Sequence, residues 1–80
     1  MSDDTARARL LRLCRMTMPS AAGVVLATLG GVVVAHEESR VADPVALATR
    51  AARERPPNVR TSALVNDHGS LYLVVFVPTP

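Results

Sequence analysis

The sequence contains no lysine, isoleucine, glutamine or tryptophan, one cysteine, and two aromatic residues, Tyr72 and Phe76. Each scarcity removes a class of protein. A single cysteine, Cys14, has no intrachain partner, so the chain is not a disulfide-stapled secreted domain. Four glycines without a period exclude a collagen-like chain. Both aromatics sit inside one apolar run, which leaves no platform for stacking nucleobases. All nine basic residues are arginine, a bias that with abundant Ala, Val and Leu fits a high-GC genome. Nine bases against seven acids leave a net charge of +2. The pI near 9.5 therefore reflects the high pKa of arginine rather than a basic patch, and no nucleic-acid partner is expected.

What is present is apolar surface. Hydrophobic types make up 49% of 80 residues, which excludes disorder at this low net charge. The length fits one small domain, 1–80, and at this size a lone monomer is marginally stable. Ser20 to Ala35 is a sixteen-residue run without a charge, preceded by arginines, in the manner of a secretion signal or short anchor. It falls short of the roughly 20 residues that span a bilayer. Asp3 and Asp4 sit where a signal carries positive charge, and Gly30-Gly31 splits the run as a hairpin turn does. No membrane partner is expected. Cys14 among Leu10, Leu11 and Leu13 reads as a small buried hydrophobe in a reducing, cytoplasmic setting.

The periodicities predict six elements. Ala6, Leu10, Leu13 and Cys14 fall on one stripe of a helix over Ser2 to Met16, with Arg9, Arg12 and Arg15 on the other side. Ser2 is its expected N-cap, Asp3 and Asp4 suit its positive end, and Pro19 stops it. Ala22 to Leu29 and Val32 to Glu37 read as a hairpin apolar on both faces. Asp43 caps a second helix with Pro44 at its first position. Its inner face is expected to be Val45, Ala48, Ala51 and Ala52, with Arg50, Arg53 and Glu54 outward, and Pro56-Pro57 ends it. Val59 to Val65 and Leu71 to Val77 are strands around the turn signal Asn66 to Ser70. The fold class expected is α+β, an antiparallel sheet of about four strands flanked by helices in the order α-β-β-α-β-β.

Catalytic patterns are few. The glycines are too scattered for a phosphate loop. His36 with Glu37 and Glu38 lacks a third metal ligand and reads as a solvated strand end. Asp67-His68 lies in a turn signal rather than a triad. No catalytic residue, metal or cofactor is expected.

The segment Gly-Val-Val-Leu-Ala-Thr-Leu-Gly-Gly-Val-Val-Val-Ala at 23–35 follows an amphipathic helix and precedes an Asp-Pro-capped, Ala-rich one. With the closing Val-Arg-Thr-Ser-Ala-Leu-Val-Asn-Asp-His-Gly-Ser-Leu-Tyr-Leu-Val-Val at 59–75, this arrangement resembles bacterial Roadblock/LC7 domains. The likeness runs from about Thr5 to Val77, with Thr28-Leu29 standing where an acidic turn residue is usual. Family members commonly continue into a fifth strand and a third helix.

The resemblance implies a non-enzymatic regulatory scaffold that forms homodimers by joining sheets and pairing second helices. It implies small Ras-like GTPases or sensor-kinase signalling proteins as partners. Carried over, the dimer interface comprises Val45, Ala48, Ala51, Ala52, Ala63 and Val65, and Ala51→Glu should dissociate it. Other readings are a reduced GAF- or PAS-like small-ligand sensor, a small antitoxin or phage-type interaction protein, and the membrane anchor weighed above.

Overall fold

A computed structural model describes residues 3–78, and of Asp3 and Asp4 the backbone alone. The expected capping by Ser2, and the roles of the Asp3 and Asp4 side chains, lie outside this description. The elements follow the expected order: α1 (Asp3–Thr17), β1 (Gly23–Ala27), β2 (Val33–His36), α2 (Pro44–Glu54), β3 (Ser62–Asp67) and β4 (Ser70–Phe76). Among the described residues no helix is long and apolar enough to cross a membrane. The Ser20–Ala35 run instead contributes β1, a turn and most of β2.

The sheet is mixed rather than wholly antiparallel. Its strand order is β2-β1-β4-β3, and β1 and β4 run parallel at its centre, with Gly23 beside Tyr72 and Ala27 beside Phe76. The reason lies in the connection. The first hairpin hands the chain from β1 to the edge strand β2, and α2 carries it across the sheet to the opposite edge. The second hairpin then returns inward as β4, alongside β1 and in the same direction. The two runs that are apolar on both faces, Gly-Val-Val-Leu-Ala and Leu-Tyr-Leu-Val-Val-Phe, are these two central strands. Continuous apolar runs are what parallel strands covered on both sides require.

Turn chemistry fixes both hairpins. Asp67 pairs with Ser70 across a two-residue loop in which His68 has φ 53° and Gly69 φ 85°. Positive φ at both central positions is the reversed turn that matches strand twist. Asn66 Oδ1 accepts from the Gly69 amide at 3.1 Å and closes it. The strands are therefore longer toward the turn than the Asn66–Ser70 turn signal suggested. In the first connection Gly31 has φ 92°, and a side chain there would meet the Ala52 Cβ at 3.4 Å.

The helices lie on opposite faces. On one, Leu47, Ala48 and Ala51 of α2 are buried against Val25, Val74 and Phe76. On the other, Leu11, Cys14 and Met18, from α1 and the segment after it, pack on Val24 and Leu73. Asp43 caps α2 as expected, its Oδ1 accepting from the Ala46 amide at 3.1 Å.

Candidate interaction surface

The expected interface residues do come together, but inside one chain. Ala48 is 0% exposed, Ala51 2% and Val65 3%, all in the core between α2 and the sheet, and Ala63 packs against that core. Ala52 is half-buried against the Gly31 turn. Small side chains on α2 do permit close approach, as expected, but the neighbour approached is the chain's own sheet. A residue consumed by that packing presents no face to a second copy, so Ala48, Ala51 and Val65 are withdrawn from a surface role. Val45 is the exception, 62% exposed and turned away from the sheet. The position overlooked was Leu47, which with Ala48 and Ala51 completes the i, i+1, i+4 stripe that faces inward.

A second correction concerns Arg15, expected on the solvent side of α1. Its guanidinium reaches under the helix end and donates to both Glu37 carboxylate oxygens, at 2.6 and 3.2 Å. It also donates to the carbonyls of Ala21 at 2.6 Å and Pro19 at 3.0 Å. One side chain thus ties the end of α1 to the entry of β1 and the exit of β2. The bond from Arg15 holds the Glu37 carboxyl below the usual carboxylate range, and the same bond raises the Arg15 pKa. The signal available in the sequence was Arg15 lying one position from Cys14, at the border of the apolar stripe. The Glu37 partner was legible only as part of an acidic cluster.

On the α1 side the sheet is only half covered. The helix packs over β1 and β2 and touches Leu73 of β4, while the rest of the β4–β3 strip is open. Between the two lies a groove of about 450 Å³, walled by Cys14, Thr17 and Met18 and floored by Leu64, Leu73 and Val75. Leu64 is 53% exposed and its neighbour on the same face, Leu71, 44%. Burial pushes the Cys14 thiol pKa up, so this cysteine is a poor nucleophile at neutral pH.

Beyond this strip lies the outer edge of β3, the last strand of the sheet. The direction of its backbone groups follows from two bonds. The Thr61 carbonyl accepts from Phe76 in β4, so Thr61, and by alternation Ala63, Val65 and Asp67, point their backbone inward. The Asn66 carbonyl accepts instead from Arg50 of α2 at 3.0 Å, so Ser62, Leu64 and Asn66 point outward. The N–H and C=O of Leu64 are therefore offered to another strand.

The remaining polar clusters are local. Asp67 lies 3.4 Å from Arg50 and 3.7 Å from His68, whose side chain is 93% exposed, as a turn position requires. His36 is half-buried at the end of β2, and its Nδ1 has no hydrogen-bond partner among the described residues. Among the described residues no group of three or more His, Cys, Asp or Glu could hold a metal ion. Compared with family models, with curated proteins and with solved structures, the chain matches none of them.

Proposed function

We propose that this chain is a non-enzymatic interaction module that works as a homodimer, a scaffold of the Roadblock/LC7 kind serving a small GTPase or another signalling protein. The observation that carries this reading is the outer edge of β3. It is a six-residue strand containing no proline, and its only charge, Asp67, lies at the turn end. Free edges of this kind are normally blunted by lysine, proline, a bulge or shortness. The opposite edge strand, β2, has four residues and faces an irregular register at Leu26/Ala27. An antiparallel pair of β3 strands is self-complementary about a two-fold axis, since Leu64 of each copy can exchange backbone bonds with its mate. Within this reading, Ala63 and Val65 act by holding β3 in place from the core, and Val45 is the one expected contact free to meet a partner.

Sedimentation of the wild-type chain at micromolar concentration should give a dimer. Leu64→Pro removes one outward N–H while sparing the inward bonds to β4, so it should yield a folded monomer with unchanged circular dichroism. A wild-type monomer, or a Leu64→Pro variant that remains a dimer, would overturn the assignment of the β3 edge.

A further inference from the structure

We infer that Arg50 of each copy pairs with Glu54 of its mate across the β3–β3 junction, and that these two symmetric ion pairs set the register of the dimer. The inference rests on the dimer reading above and adds to it the side chains that make a second copy the fitting partner.

Both residues lie on α2, one turn apart, on the flank of the helix nearest the β3 edge. At i and i+4 an arginine and a glutamate can bond to each other, but here they do not. The Arg50 guanidinium turns to the strand, donating from Nη2 to the Asn66 carbonyl at 3.0 Å and from Nη1 to the Asp67 carboxylate at 3.4 Å. Asn66 is one of the residues whose backbone points out of the sheet, so this cation is carried to the edge itself. A guanidinium has five N–H donors, and those two bonds leave the others free for a second carboxylate.

Glu54 lies at the other end of the strand. It is exposed, has no hydrogen-bond or ion-pair partner among the described residues, and borders a cavity of about 310 Å³ together with Ser62, Ala63 and Leu64. The other charge on this cavity, Arg55, is committed within its own chain. It donates to the Val59 carbonyl at 3.1 Å and lies 6.0 Å from the centre of the Phe76 ring.

Symmetry brings the two ends together. When Leu64 faces Leu64 in an antiparallel pair, Ser62 of each copy faces Asn66 of the other. The two-fold axis of such a pair stands perpendicular to the sheet, so both α2 helices lie on one face and run in opposite directions. Adjacent strands are about 4.8 Å apart. The Arg50 guanidinium above Asn66 then sits beside Ser62 of the mate, where Glu54 of the mate lies unpaired. The same contact recurs on the other side of the axis. Sliding one strand by two residues moves it about 7 Å and separates both pairs. Backbone bonds alone repeat at every second residue, so the charges supply the choice of register.

Sedimentation equilibrium of the full chain tests this with Arg50→Glu and Glu54→Arg, each alone and the two mixed in equal amounts. Either variant alone sets like charges against each other at both contacts, and its dimer Kd should rise about tenfold. The mixture should return to a Kd near that of wild type, because both contacts of the heterodimer again join opposite charges. Native mass spectrometry should then show heterodimer in excess of random pairing. A bond between residues 50 and 54 inside one chain predicts no such recovery, since mixing leaves each chain as it was. Glu54→Arg breaks no bond within its own chain, so a Glu54→Arg dimer as tight as wild type overturns the proposal even where Arg50→Glu does not fold. A mixture no tighter than its components overturns it as well. A wild-type monomer removes the dimer reading and this proposal together. A wild-type dimer indifferent to both charge reversals leaves the dimer reading standing and overturns the ion pairs alone.

Discussion

The two faces of the sheet are built from similar strand residues but finished differently. On the α2 face the helix touches all four strands, and Val25 and Val74 are wholly buried beneath it. On the α1 face the helix covers β1 and β2 and touches β4 at Leu73, and Leu64 and Leu71 remain in solvent. The difference comes from the helices, not the sheet. Alternation along β4 sends Tyr72, Val74 and Phe76 to one side and Leu71, Leu73 and Val75 to the other, apolar in both cases. A small-residue helix lies low and centrally, whereas α1 is drawn to the β1–β2 half by Arg15 gripping Glu37. One face is thus a core, and the other is part core and part exposed apolar surface.

The sharpest way to break this comparison is Ala51→Glu. At 2% exposure the new carboxylate has no partner and no water. The cost should be about 4 kcal/mol, enough to unfold a marginal domain rather than merely dissociate a dimer. Thermal denaturation by circular dichroism reads this, and a folded Ala51→Glu monomer would contradict the burial assigned here.

Next in size is the tether on the other face. Glu37→Gln removes a charge-assisted pair that is about one-fifth exposed, with an expected loss of about 2 kcal/mol. The pH dependence carries the sign. The folded pKa of Glu37 lies below its ordinary value, so its contribution is complete above the unfolded value of about 4.3. It disappears as pH falls through the folded value. Wild type should therefore lose stability below about pH 4 more steeply than Glu37→Gln, as measured by urea denaturation across that range. Parallel curves would show that the pair does not hold α1.

The smallest effect is expected on the open strip. Leu64→Ser should change stability by no more than about 0.5 kcal/mol, because the side chain is already more than half in water. A larger loss would mean that the strip is covered in the folded protein.

How much of this was legible in advance depends on how local each signal is. Asp43-Pro44 announced the start of α2, since a cap and a proline at the first position act within one turn. His68-Gly69 announced its hairpin for the same reason, although Asn66, Asp67 and Ser70 belong to the turn's supports and strands rather than its loop. Val45 was misassigned and Leu47 overlooked because a stretch rich in alanine gives a weak periodic contrast. The parallel pairing of β1 and β4 was foreshadowed by their two-sided apolar runs, yet strand direction depends on where α2 delivers the chain. Arg15 was read as solvent-facing because its partner, Glu37, is 22 residues away.

By itself, then, the sequence determined the six elements and their order, the turns, the cap of α2 and a surplus of apolar surface. These rest on spacing and backbone preference within a few residues. The tertiary structure alone decided that the sheet is mixed, that Ala48, Ala51 and Val65 belong to the core, and that Leu64 and Leu71 stay exposed on one half of one face. Those outcomes depend on which distant segments share a side of the sheet and how far one helix can reach across four strands.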